Sequence, residues 1–294
     1  MMQLRNDDSE KVPYNFTDYP IHVQKCLLSS YPHYSAPSHW HDDIELILIL
    51  SGAMSYNVNG EILTLTASEG IFVNARQMHF GFSNAKEECE FLCILLHPML
   101  LGITSAYERD FVLPVLGHGS LPFVHLKREI PWQDQICKQL QSIYAVRKDP
   151  AAQLKILSAF MTVWTLLYEH TPPAGKKTDH KNSDLVSIKN MISFIQNNYP
   201  RKVSLSDIAA SGLVGQSKCC KLFSKYLRQT PNLYLTQYRL NKSMELLTGT
   251  NKSITEIAID TGFGNGSYYA EVFRKWTGTS PTKYRNETTN LPLF

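Results

Sequence analysis

The chain has 294 residues, 29 Lys+Arg against 26 Asp+Glu for a net charge of +3, and 43% hydrophobic residues. That length and apolar content allow a sizeable core and, at roughly 100–200 residues each, two domains. They exclude a membrane-spanning chain: the longest apolar run, IELILILSGAM from Ile44, falls short of the ~20 residues a span needs and contains Glu45.

The start, MMQLRNDDSEK, is polar and acidic, unlike a signal peptide. A cytoplasmic protein with no membrane partner is therefore expected. Cys26, Cys89, Cys93, Cys137, Cys219 and Cys220 include no C-x-x-C pair and read as reduced thiols. The net charge hides a division. Residues 184–294 hold 14 Lys+Arg and 7 Asp+Glu, whereas residues 1–183 hold 15 and 19. One part is suited to a polyanion and the other is not.

Residues 1–130 read as β-rich. Short runs such as EILTLTA, GIFVNA and EFLCILL are separated by turn signals such as NVNGE and SNAKEE, the pattern of a small barrel or sandwich. Residues 131–170 switch to helical spacing. In the second helix Leu154, Leu157, Phe160, Met161, Trp164 and Leu167 or Tyr168 form a wide stripe, suited to packing on the barrel, to a dimer seam, or to both. Residues 171–183, TPPAGKKTDHKNS, read as an exposed linker. From Asp184 onward the pattern is helical, beginning with Leu185, Ile188, Ile192 and Ile195 on one face and a stop at Pro200. The fold class is thus α+β and multidomain.

The all-α part, residues 184–294, contains a repeat of about fifty residues. Ser204-x-x-Asp207 and Ser253-x-x-Glu256 are capping boxes. Ile208-Ala209 matches Ile257-Ala258, Gly212-Leu213 matches Gly262-Phe263 after one inserted residue, and Phe223 matches Phe273. Thr230-Pro231 matches Ser280-Pro281. Each unit is a short capped helix, a glycine turn expected to need a left-handed backbone, and a second helix: a helix-turn-helix plan.

On a helical wheel the second helices turn Cys219, Leu222, Phe223 and Tyr226, and Tyr269, Val272, Phe273 and Trp276, toward the core. The opposite faces carry Ser217, Cys220, Lys221 and Ser224 with Lys225 beside them, and Ser267, Ala270, Glu271 and Arg274 with Lys275 beside them. Gln216 and Asn265 stand at the helix starts. Short polar groups mixed with cations suit a helix lying in a major groove. A solvated charged face would account for Lys218, Lys221 and Lys225 taken alone, but not for the repeat.

The segments IAIDTGFGNGSYYAEVFRKWTGTSPTKYR and LYLTQYRLNKSMELL resemble the AraC-type transcription regulators over about the last 105 residues. The resemblance implies two helix-turn-helix units joined by the long helix carrying Arg239, with both second helices in successive major grooves of double-stranded DNA. It carries base-reading positions onto Ser217, Cys220 and Lys221, with Gln216 and Lys218 nearby, and onto Asn265, Gly266, Ser267 and Glu271. Lys225, Arg274 and Lys275 are expected to contact DNA as well. The family often has Arg where Glu271 stands and Gly where Arg228 stands. Glu271 either accepts from a cytosine amino group or pairs with Arg274 or Lys275 and aims them at phosphates; the second is the expectation adopted.

SHWHDDIELILILSG places His39, His41 and Glu45 at odd positions, on one side of a regular strand; Gly52 and His79 follow. This H-x-H-x3-E-x6-G spacing resembles the cupin barrel, in particular the arm of AraC-type regulators, although the proline and glycine expected just before the last histidine are missing. The resemblance implies a cupin-like sensor in which His39, His41, Glu45 and His79 bind a small-molecule effector, with a sugar or sugar derivative as one suitable class. The same four groups also suit a divalent transition metal or a purely structural role. No metal, cofactor or catalytic residue is assigned, for no phosphate loop, nucleophile elbow or Cys/His catalytic signature is present. The expected assembly is a homodimer, meeting RNA polymerase if it activates. The competing reading is a metal-dependent cupin enzyme fused to a DNA-binding domain.

Overall fold

The computed structural model describes residues 9–16, 18–117, 121–171 and 179–289, with the backbone alone at 179–182 and 287–289. The chain divides into two compact units, Met1–Leu185 and Val186–Phe294.

The first unit is an antiparallel sheet with appended helices. Its strands are β1 (Ile21–Leu27), β2 (Ile44–Val58), β3 (Glu61–Thr66), β4 (Gly70–Val73), β5 (His79–Phe82), β6 (Cys89–Leu96) and β7 (Phe123–Leu126), in the order β1-β6-β2-β4-β7. The long β2 is the hub. Its first half pairs with β6 and β4, and its second half with β3 and β5. Asn59 and Gly60 both take positive φ between β2 and β3, as a tight Asn-Gly hairpin requires.

Where β2 passes from one set of partners to the other, its register against β6 shifts between Ile49 and Ser51, leaving Leu50 as the extra residue of a bulge. Gly52 follows at φ 76°, where a Cβ would collide with the Glu88 carbonyl.

Alternation along β2 sorts its side chains into two cores. Ile44, Leu46 and Leu48 meet Phe72, Leu92, Ile94 and the helices. Ile47 and Ile49, with Tyr56 and Val58 beyond the bulge, meet Ile71, Val73 and Phe91 on the other face. Helices α1 (Ser105–Tyr107) and α2 (Leu113–Leu116) lie between β6 and β7, in a stretch whose sequence was expected to be β-rich. A π-helical turn, Glu108–Val112, joins them into one helical run, and polar contacts from buried side chains tie down that run and the segment after it. The Asn74 amide donates to the carbonyls of Val115 (2.8 Å) and Leu121 (3.0 Å), and the Trp164 indole donates to the Phe111 carbonyl (2.9 Å).

Helices α3 (Pro131–Val146) and α4 (Ala152–His170) cover the helix-facing side of the sheet. In α4 the buried stripe is Ile156, Phe160, Val163, Trp164 and Leu167. Leu154 of the expected stripe stands 71% exposed, so the packing role is met by a face rotated from the one predicted. Of the expected linker, residues 172–178 lie outside the described residues; α5 (Asp179–Asn198) already begins within the remainder.

The second unit continues with α6 (Leu205–Ser211), α7 (Gln216–Leu227), α8 (Pro231–Gly249), α9 (Ile254–Asp260), α10 (Gly266–Thr277) and α11 (Pro281–Thr289). Both capping boxes form, Ser204 with Asp207 and Ser253 with Glu256. The repeat runs further than the sequence indicated. Phe223 meets Tyr234 edge-on at 5.8 Å, and Phe273 meets Tyr284 edge-on at 5.5 Å, so each unit closes with the same aromatic pair on the following helix. Among the described residues no helix is long and apolar enough to cross a membrane.

Candidate effector site and nucleic-acid interface

His39, His41, Glu45 and His79 are all buried, and one donor atom from each lies within 4.8 Å of the others. They do not share one regular strand. β2 begins at Ile44, after a bend at Asp42–Asp43. Local backbone pairing brings the groups together instead. His39 N donates to His79 O (3.1 Å) and His79 N to His39 O (2.9 Å), joining the chain before β2 to β5.

Each imidazole is pinned at Nδ1 by a backbone carbonyl: Pro37 for His39 (3.0 Å), Asp43 for His41 (2.9 Å) and Gln77 for His79 (2.9 Å). A carbonyl only accepts, so each Nδ1 carries a hydrogen and each neutral ring presents its Nε2 lone pair. The Glu45 carboxylate lies against two of those nitrogens. Its Oε2 lies 3.2 Å from His41 Nε2 and 2.5 Å from His79 Nε2. Tyr56 donates its hydroxyl to Oε1 at 3.0 Å.

Burial alone would raise the Glu45 pKa, but the neighbouring His79 and His41 outweigh it and hold the carboxyl well below its usual range. For His41, burial opposes the proton while Glu45, Asp43 and Glu10 more than compensate, so its pKa is raised. Burial, reinforced by His79, keeps His39 well below its ordinary value and neutral. Glu10, 3.8 Å from His39, is pushed up to about 7 by burial. The Cys93 thiol lies 3.9 Å from Glu45 and is pushed up as well, by burial first.

Glu10, the Tyr56 hydroxyl and Cys93 are members of this site that sequence reasoning did not find. Spacing hid the role of Tyr56. It is eleven residues after Glu45, an odd step that puts it on the opposite face of an unbroken strand. The bulge at Leu50 restores it to the same face.

In the second unit, α7 exposes Gln216, Ser217, Lys218, Cys220, Lys221 and Lys225, while Cys219, Leu222, Phe223 and Tyr226 are buried. Helix α10 exposes Asn265, Ser267, Glu271, Arg274 and Lys275, with Gly266 half-buried and Tyr269 and Phe273 in the core. Both predicted outward faces are therefore accessible. Trp276 is 37% exposed rather than buried, in keeping with the difficulty of enclosing so large a ring at a helix end.

Two expected roles change. The Asn265 side-chain oxygen caps α10, accepting from Ser267 N (2.8 Å) and Tyr268 N (3.3 Å); only its amide hydrogens remain for a base. Glu271 makes no ion pair with Arg274 or Lys275. Exposed pairs of this kind gain too little to hold two long side chains in one rotamer.

The turns also align differently from the sequence match. Gly212 corresponds to Thr261 and Leu213 to Gly262, because Val214 N bonds to Ala209 O (3.1 Å) as Phe263 N bonds to Ala258 O (2.8 Å). The inserted residue is Gly264. The left-handed position is thus Leu213 (φ 55°) in one unit and Gly262 (φ 81°) in the other. Gly212 is small for another reason: a Cβ there would lie 2.6 Å from Met191 Cγ of α5.

Arg239 on α8 fixes the second unit's centre. Its guanidinium donates to the carbonyls of Tyr199 (2.9 Å) and Arg201 (2.8 Å), beside the Gly262 turn. Arg285 repeats the device on α11, reaching the carbonyls of Leu247 (3.2 Å) and Lys252 (2.6 Å).

Residues 23–161 match the model of the AraC-like ligand binding domain, and residues 208–287 match that of a helix-turn-helix domain. The HTH-type transcriptional regulator YdeC of Bacillus subtilis is 25% identical over 279 residues, covering 94% of this chain and 95% of that protein. The melibiose operon regulatory protein of Escherichia coli K12 is 24% identical over 260 residues, 86% of this chain and 85% of its own length. The lactose operon transcription activator of Staphylococcus xylosus is 28% identical over 151 residues, 51% of this chain and 52% of that protein. Among solved structures, ToxT of Vibrio cholerae is 16% identical over 90% of this chain and 98% of its own, with a TM-score of 0.40.

Proposed function

The chain belongs to the AraC-type transcription regulators, with a ligand-binding unit followed by a helix-turn-helix unit, and on that premise we propose that it is a cytoplasmic, effector-controlled regulator whose signal is a sugar or sugar derivative. The observation that carries this reading is the pairing of a buried polar centre, His39, His41, Glu45 and His79, with two exposed cationic helix faces elsewhere in the chain. Regulator names that specify the melibiose and lactose operons support the effector class.

On the DNA side, α7 reads bases through Gln216, Ser217, Cys220 and Lys221, with Lys218 and Lys225 flanking on phosphates. Helix α10 uses Asn265, Gly266, Ser267 and Glu271, with Arg274 and Lys275 on the backbone. Since Glu271 is unpaired, its carboxylate is free to accept from a cytosine amino group, so α10 discriminates bases as well as positions the unit.

An effector that binds one conformation of the sensor better than another shifts the population competent for a given pair of half-sites. The active species is a homodimer, and RNA polymerase is its further partner where it activates. No catalytic role is proposed.

The experiment is a titration of full-length protein onto duplexes selected from a random pool, with and without a panel of mono- and disaccharides. One sugar should change the affinity or the occupied half-sites, and His79→Gln should abolish that response while leaving sugar-free binding intact. A response to no sugar in the panel, with DNA binding intact, contradicts the effector class. Failure to select any duplex contradicts the regulator reading itself.

A further inference from the structure

We propose that His39, His41, Glu45 and His79 hold one divalent transition-metal ion at the centre of the sensor unit. The inference rests on the effector reading only for the ion's part in regulation; the coordination chemistry stands on the geometry alone.

The three Nδ1 atoms are committed to carbonyls, so three Nε2 lone pairs and a carboxylate converge on a volume whose donor atoms lie within 4.8 Å of one another. Lone pairs facing a carboxylate repel unless a positive charge lies between them. His41 Nε2 and His79 Nε2 lie 3.2 Å and 2.5 Å from the same Glu45 oxygen, their ring centroids 4.9 Å apart, and His79 Nε2 is buried and without a hydrogen-bond partner. A single dication between them gives each nitrogen and the carboxylate a partner.

Bonds of ~2.0–2.2 Å set donor atoms roughly 3–4 Å apart, and these four, within 4.8 Å of one another, reach that spacing with small side-chain shifts. Backbone carbonyls on the distal ring nitrogens are the outer contacts that orient metal-ligating histidines. Three imidazoles and one carboxylate favour Mn, Fe, Ni or Zn over Ca or Mg. Cys93 stays outside the set, its thiol turned to the carboxylate as a donor. In a six-coordinate ion four protein donors leave two positions, for water or for oxygens of a polyhydroxylated effector.

The test uses the full-length chain, purified without a histidine tag or chelator. Elemental analysis should find close to one transition-metal ion per chain. After stripping with EDTA, calorimetric titration with Zn(II) and with Mn(II) should show one saturable site for at least one of them, and the midpoint of thermal unfolding should rise with the metal. His39→Gln and His79→Gln, each checked for folding by its unfolding transition, should weaken binding at least tenfold; Cys93→Ser should leave the stoichiometry unchanged.

A folded wild-type chain that carries no stoichiometric ion as purified and takes up neither metal overturns the proposal, whatever the variants do. The two readings fail separately. Metal binding with no sugar response sinks the sugar-effector reading and keeps the ion, whereas a sugar response in a protein that binds no ion does the reverse.

Discussion

Leu213 and Gly262 occupy the same left-handed position in the two turns, and the side chain decides what each costs. Leu213 sits at φ 55° with its side chain 91% exposed, so nothing is gained by burial to offset the strain of a Cβ there. Leu213→Gly should therefore stabilise the second unit by about 1 kcal/mol, read as a raised urea midpoint at constant m. Gly262→Ala should destabilise it by more, because the added methyl collides with the Tyr199 carbonyl as well as straining the backbone. Glu271→Gln, assayed across operator variants, should relax preference at a single G·C pair; unchanged preference with weaker binding to every sequence would return Glu271 to a positioning role. At this scale the sequence was legible for the four groups of the sensor centre, whose types and spacing were unusual. It was opaque for Tyr56 and for the turn glycines. A one-residue bulge changes the face of everything after it, and two glycines in one motif served different needs, close approach at Gly212 and positive φ at Gly262.

The helices begin where their caps dictate. Asp207 is held below the usual carboxylate range chiefly by its hydrogen bond to the Ser204 side chain, and Glu256 is held low chiefly by the Ser253 backbone N–H. A pKa depressed in the folded state adds stability above the unfolded value, and that stability is lost as pH falls through the folded one. Both caps should therefore weaken as the pH drops below about 4. At neutral pH, Ser204→Ala and Ser253→Ala should each destabilise by about 1 kcal/mol in chemical unfolding. Ala258→Leu, at a site with no exposed surface, should overpack α9 against α8 and cost about 1–3 kcal/mol in the same assay. The capped helices were legible because Ser-x-x-Asp and Ser-x-x-Glu state their own start. The helical insertion between β6 and β7 was not: its run over 105–116 has a π-helical turn, Glu108–Val112, at its centre and is held by Asn74 and Trp164 from far along the chain. A π turn breaks the 3.6-residue period by which a helix is read from sequence. The stripe of α4 was placed on the correct helix but rotated, since several of its faces are apolar and only the sheet selects between them.

The whole chain separates its tasks by charge and by core. The acidic first unit encloses its polar centre, while the basic second unit turns its cations outward on two helices built alike. Helix α8, 19 residues and so about 28 Å long, lies between the two helix-turn-helix motifs within that unit. With Lys221 on a base, Lys221→Ala should relax one operator position and leave the slope of log affinity against log salt unchanged; a slope lowered by about 0.9 with uniform weakening would make it a phosphate contact instead. The division into two units was visible in the sequence as a change of net charge and of hydrophobic period, signals that sum over a hundred residues and survive local errors. The most direct measurement is hydroxyl-radical footprinting and guanine-methylation interference with the full-length protein on its selected duplex. Two contacted major-groove tracts per protomer should appear on one face of the DNA, about 10–10.5 base pairs apart, with the inner or outer tract lost selectively when α7 or α10 is altered. A single contacted groove per chain, or two tracts on opposite faces, would contradict the claim that α7 and α10 read DNA together.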